Sequence, residues 1–212
     1  MNMKTIWVFL LIGWSGFIAS GQTNGNPKEP APGTFPPILL VSVKLPVVID
    51  AYAAVKQRTV LQHPLLPNAA FTISANPKTA AEAAAEFERS FAEHGIAAIP
   101  DGQHFVMLVP TALTNNVTPN SDKIATNGAA IPSSSVIFRT VPLSLVLPVY
   151  ADFANRKIIN QAEAPPTVVF TLIQQTALSR EEICYAMETL FAWNNVRLHT
   201  NDDNTLKIER VR

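Results

Sequence analysis

Hydrophobic and polar positions along this chain pass from a strand-like period to a helical one and back, and they do so twice in the same order. In the first pass, Ile38 to Val43 (ILLVSV) reads as a short strand. Roughly Pro46 to Lys56 follows, with Val48, Ala51, Tyr52 and Val55 at i, i+3, i+4 and i+7, one face of a helix. A brief apolar piece, Val60-Leu61, and a proline-bearing loop from His63-Pro64 to Pro67 lead to a strand rich in β-branched and aromatic residues, Ala70 to Ser74. A second helix opens on the capping-box spacing of Thr79 and Glu82. It buries Ala83, Phe87, Ser90 and Phe91, and Gly95 falls where a left-handed helix end is expected. Two strands, Ile96 to Ile99 and Phe105 to Val109, then close around the turn Pro100-Asp101-Gly102.

The second pass repeats each step. A strand at Val136 to Val141 precedes a helix over Ser144 to Asn155 whose apolar face is Val146, Val149, Tyr150 and Phe153. Ile158-Ile159, a loop with Pro165-Pro166 and a strand at Val168 to Ile173 follow. The second helix starts at Ser179 and Glu182, buries Ile183, Met187, Leu190 and Phe191, and ends at Asn195. The closing strands are Val196 to His199 and Thr205 to Ile208, around Asn201 to Asn204. Laying Val43 on Val141, an offset of 98, also sets Leu45 on Leu143, Val48 on Val146, Tyr52 on Tyr150, Ala53 on Ala151 and Arg58 on Arg156. One-residue slips in the loops bring Phe71 onto Phe170, and then Glu82, Phe91 and Ile96 onto Glu182, Phe191 and Val196. The expected fold is α+β: a tandem repeat of a small β-α-β-β-α-β-β domain, two helices packed on small mixed sheets, with copies at 38–110 and 136–212. A unit that small is marginal alone, so packing against its twin or another subunit would help.

Sequence outside the repeat has other jobs. Met1 to Gln22 places Lys4 before the apolar run Ile6 to Ile12, with Ala19 and Gly21 at the positions that favour a cut before Gln22. That order predicts a signal peptide over 1–21. Gly13, Ser15 and Gly16 interrupt the run, well short of the ~20 apolar residues a membrane span needs. Without a cysteine near the cut, a lipid anchor there is not expected. Residues 22–37 contain Pro27, Pro30, Pro32, Pro36 and Pro37 and read as an extended Pro-rich tether. Residues 111–135, rich in Thr, Asn, Ser and Ala without periodicity, read as a flexible linker, in which Asn116-Val117-Thr118 fits a glycosylation sequon.

Composition narrows the function. Sixteen basic and sixteen acidic residues balance, which argues against a nucleic-acid binder working by attraction to phosphate. One cysteine excludes an intrachain disulfide framework and a Cys-based zinc cluster. His63, His94, His104 and His199 show no metal-clamp spacing. Cys184 reads as a small, half-buried packing residue, and the Ser133 to Ser135 run lacks a nucleophile elbow. Glu82 and Glu182 are accounted for as caps, and Glu86, Glu88, Glu93, Glu181 and Glu188 as solvent-facing helix residues. Arg58 and Arg156 follow helix carboxyl ends, where a cation complements the dipole; an anion ligand is the alternative. No catalytic, cofactor-binding or metal-binding residues are assigned, no cofactor is expected, and the chain is not expected to be an enzyme.

Val168 to Ile208 resembles the amino-terminal periplasmic domains of secretins, the outer-membrane channels of type II secretion and related pilus systems. The likeness rests on Leu178-Ser179-Arg180-Glu181-Glu182 at a helix start, on Leu190-Phe191, and on Leu206-Lys207-Ile208 in an alternating strand. Upstream, Phe138-Arg139-Thr140 through Arg156-Lys157-Ile158-Ile159 is similar to the entry of the same domain, with Asn155 in place of the usual glycine. The resemblance covers the second copy well and the first more loosely. Secretins continue into a channel-forming β-barrel, whereas this chain stops at Arg212, so the resemblance implies an interaction module and not a pore. The implied partners are envelope proteins of a secretion or pilus assembly, with self-association as an option, no nucleic acid and no transmembrane span in the mature form. The implied location is the periplasm, associated with the outer membrane through partners. The alternative is a free-standing periplasmic scaffold or binding protein with no secretion role.

Overall fold

A computed structural model describes residues 35–124, 128–160, 168–201 and 203–210. The expected signal peptide, the tether up to residue 34 and Pro165-Pro166 lie outside the described residues.

The first copy runs β1 (Ile38–Lys44), α1 (Leu45–Lys56), β2 (Thr59–Gln62), β3 (Ala70–Ala75), α2 (Ala80–Glu93), β4 (Ile96–Asp101) and β5 (Phe105–Pro110). The second runs β6 (Ile137–Pro142), α3 (Leu143–Ala154), β7 (Lys157–Ile158), β8 (Val169–Ile173), α4 (Arg180–Trp193), β9 (Val196–Thr200) and β10 (Thr205–Arg210). Each copy holds an antiparallel two-stranded sheet, β1-β3 or β6-β8. Each also holds a three-stranded mixed sheet, β2-β5-β4 or β7-β10-β9, whose first strand runs parallel to the middle one. The fold is α+β, with both copies built to one plan.

The copies agree in backbone detail. The first strand of each bulges at a left-handed residue, Ser42 (φ 51°) or Thr140 (φ 53°). There the freed amide donates to a threonine hydroxyl of the paired strand, Thr72 at 3.1 Å or Thr171 at 3.2 Å. The first helices end on left-handed Gln57 and Asn155, the second helices just before Gly95 and Asn195. Asn155 thus adopts the conformation for which glycine would be the default.

Thr79 and Ser179 both cap their helices by accepting the amide of the glutamate three residues on, at 3.1 Å. The box closes only in the second copy, where Glu182 Oε2 accepts the Ser179 amide at 2.7 Å. In the first, Glu82 reaches one residue further back and takes the Lys78 amide.

Every residue expected on the buried stripe of α2 and α4 is buried. Tyr52 meets Phe91 edge-to-face with centroids 5.2 Å apart, and Tyr150 meets Phe191 in the same way at 5.3 Å. Each phenol also reaches a carboxylate on the neighbouring helix, Glu88 or Glu188.

The sheet β2-β5-β4 explains how the copies join. Val60, Val106 and Leu108 pack into the core of the first copy, whereas Leu61, Phe105, Met107 and Val109 pack into the core of the second. A strand buried on both faces needs an unbroken apolar run, which Phe105 to Val109 supplies. Its counterpart β10 alternates, with Leu206 and Ile208 buried and Lys207 and Glu209 exposed. One face of the second copy's sheet is therefore polar, unlike the matching face of the first.

Residues 111–135 were expected to be a flexible linker. Their described part carries two 3-10 turns, Thr111–Asn116 and Ser121–Lys123. Asn120 and Ser121 donate their amides to Asp101 Oδ1, and Ile131 pairs with Leu178. Further along, Gln174, itself buried, bonds Ile131 O and the Val136 amide. Side chain–backbone bonds thus engage the described residues at 120, 121 and 131, positions with no apolar period.

The first hairpin also differs from expectation. Pro100 and Asp101 belong to β4, and the turn begins at Gly102, because the Asp101 carboxylate is occupied elsewhere.

Candidate functional site

The joint between the copies is built by residues of β2, β4 and α4 and of the loops beside them. Asp101, at the end of β4, has no solvent exposure. Its Oδ2 accepts the Tyr185 hydroxyl of α4 at 2.6 Å, while Oδ1 takes two backbone amides at 2.9 and 2.8 Å. Burial first, then this carboxylate, pushes the Tyr185 phenol well above its ordinary range. Next to the hairpin, His104 Nδ1 donates to Glu182 Oε1 at 2.6 Å, so the α4 cap is also a contact with the first copy. The Gln175 amide donates to Thr59 Oγ1 at 3.1 Å, and His63 packs on Trp193 with ring centres 5.2 Å apart. Partial burial lowers the pKa of His63.

Histidines that the sequence spread over separate elements stay separate. His94 donates to Ser90 O and stacks on Phe71, and His199 pairs with Glu209 at 2.5 Å. Among the described residues no three His, Cys, Asp or Glu side chains are placed to hold a metal ion. Cys184 is half-buried, and burial together with the Glu188 charge pushes its thiol up to about 11, away from a nucleophile's range. Glu86 pairs with Arg89, and Glu88 accepts both the Tyr52 hydroxyl and Lys56.

Arg156 has more contacts than a helix-end cation needs. Its guanidinium donates to Thr200 Oγ1 at 2.5 Å and lines two adjoining depressions of the second copy. One, of about 430 Å³, runs beside β9 and is walled by Glu188 and Phe191 of α4, with Arg197 and His199 on the strand side. The other, of about 610 Å³, adds Lys157 and Arg180, opposed by Asp152 and Asp203. Hydrogen bonds from Thr205 hold the Asp203 carboxyl below its ordinary range. Neither depression brings a nucleophile to a base.

Several large apolar side chains face outward, and some occupy matching positions in the two copies. Leu39 is 71% exposed and Ile137 49%, each the second or first residue of its opening strand. Val47 and Leu145, both near the start of the first helix, are 38% and 63% exposed. Sequence pattern alone did not reveal the joint residues Asp101, Tyr185 and Gln175. The signal available for the joint was the contrast between the apolar run Phe105–Pro110 and its alternating counterpart Thr205–Arg210.

Compared with known proteins, the chain matches no family model and no curated sequence. Among the described residues no helix is long and apolar enough to cross a membrane.

Proposed function

We propose that this chain is an exported, non-enzymatic protein-interaction module of the bacterial envelope, acting in type II secretion or a pilus-type assembly. The observation that carries the interaction reading is the repetition of exposed apolar positions, Leu39 with Ile137 and Val47 with Leu145. The two copies share few identities, yet both keep a large apolar side chain at these exposed positions, where neither fold needs it inside. A partner that covers them accounts for their being apolar. The link to secretion rests on the resemblance of Val168 to Ile208 to secretin amino-terminal domains.

Photo-cross-linking residues placed at 39, 47, 137 and 145 in living cells test the reading. Trapping of secretion or pilus assembly proteins is the expected result. Trapping only proteins foreign to such assemblies would favour a free-standing periplasmic scaffold, and no trapping at any of the four positions would overturn the interaction reading.

A further inference from the structure

We infer that the free edge of β9 receives an extended segment of a partner protein as an added strand, and that this segment carries acidic side chains. The inference deepens the interaction reading above and rests on it.

Among the described residues β9 is the last strand of the order β7-β10-β9. The phase of its backbone follows from two bonds. The Asn201 amide donates to Thr205 O at 2.9 Å, on the inner side of the hairpin. On the far side of β10, Leu206 O accepts the Ile159 amide at 3.0 Å. Antiparallel residues alternate between facing their partner and facing away. Arg197 and His199 therefore direct their amide and carbonyl groups at β10, while Val196, Leu198 and Thr200 direct theirs outward. All five residues of β9 line the groove of about 430 Å³, with Phe191 and Ala192 of α4 on the opposite wall. A depression that follows five consecutive strand residues has the shape of an incoming strand, whose rise is ~3.3 Å per residue.

The first copy blunts the same edge. Thr59 and His63 donate to His104 O and Leu108 O, so on β5 the even-numbered residues of that run face β2. The outward-facing residues of β4 are then Ile96, Ala98 and Pro100. Pro100 has no amide to offer, a common edge defence, and its counterpart in the second copy is Thr200.

Charge selects the occupant. Arg197 is exposed and makes no ion pair among the described residues, and exposed Lys207 sits opposite His199. The corresponding residues of the first copy are Ala97 and Met107. Glu188 accepts the Tyr150 hydroxyl, and Glu209, opposite Arg197 in the register, bonds His199, so Arg197 and Lys207 share their face with one carboxylate that already has a partner. A partner strand with small or apolar side chains toward the groove and carboxylates on the other face meets Arg197 directly. A second copy of this chain pairing through its own β9 would instead bring Arg197 and His199 of both protomers together.

The test titrates the intact, nitrogen-15-labelled chain with blocked Val-Glu-Val-Glu-Val and Val-Lys-Val-Lys-Val peptides. Amide shifts centred on Val196, Leu198 and Thr200, with the acidic peptide about fivefold tighter, are expected. Arg197→Glu should invert that ranking, and Leu198→Pro should abolish binding; R197E keeps the test decisive if the proline variant fails to fold. Equal affinities, shifts elsewhere, no binding of either peptide, or peptide-free dimerisation through β9 would each overturn the inference. If the cross-linkers at 39 and 137 still trap a partner that R197E leaves untouched, the interaction reading stands and the β9 site falls.

Discussion

The Tyr185 hydroxyl of the second copy donates to Asp101 Oδ2 of the first at 2.6 Å, while the other oxygen of that carboxylate holds the amides of Asn120 and Ser121. A buried carboxylate is tolerated when its lone pairs are filled, and here three donors from two separate stretches of chain fill them. Asp101→Ala strands a phenol and two amides, so a loss of about 3 kcal/mol in urea unfolding is expected. Tyr185→Phe should cost about 1 to 2 kcal/mol. The double variant should lose less than the two single losses combined, because they share one interaction. Strict additivity would show that the bond contributes nothing to joining the copies.

Met107 and Lys207 occupy the same place in the two copies and have opposite surroundings, one buried in the joint and the other exposed. Met107→Lys puts an unpaired cation between the cores and should cost about 3 kcal/mol or more. Lys207→Met should stay within about 0.5 kcal/mol of the parent. Thermal unfolding of both variants checks the pair. Equal effects would mean that the first copy's sheet is no more covered than the second's.

Alkaline pH should loosen the molecule through its tyrosines. Burial first, then hydrogen bonds to Glu88, Glu188 and Asp101, raises the phenols of Tyr52, Tyr150 and Tyr185 well above the ordinary value of 10.0. Groups raised on folding contribute stability that is fully present below their unfolded value and is lost as pH rises beyond it. Melting temperature should therefore hold up to about pH 10 and fall above it, with phenolate absorbance appearing together with loss of helical signal. Phenolate at all three tyrosines in a still-folded chain near pH 10 would contradict the burial of these groups.

Cys184 provides a local probe of α4. With its thiol pushed up to about 11, little thiolate exists near neutrality. Alkylation by iodoacetamide at about pH 8 should run on the order of a hundredfold slower than in the urea-unfolded chain. Similar rates would show that the surrounding surface opens readily.

Periodicity placed the helices and most strands to within a residue or two, because each helix buries a well-spaced stripe and each strand is short and bounded. Asp101 was misplaced for a physical reason. Asp followed by Gly is a good turn signal, yet here the carboxylate is held by Tyr185, 84 positions away, and no local window contains that partner. The described residues around 120 and 131 show no apolar period, and there Asp101 and Gln174 bond backbone groups. The β9 edge was equally invisible: its openness depends on which strands pair, and only the contrast between Pro100 and Thr200 hinted that the two edges differ.

Pro148 lies in the interior of α3, past the first turn, on the exposed side of the helix. Its first-copy counterpart is Asp50, in the intact helix α1. A proline there removes the amide that would bond the carbonyl four residues earlier and crowds that turn. Pro148→Ala restores the donor without touching the buried face, although it also frees the unfolded chain. The net expectation is a gain of about 1 to 2 kcal/mol, read as a higher urea midpoint with an unchanged slope. An unchanged or lower midpoint would mean that α3 gains from the proline's rigidity as much as the missing amide donor costs.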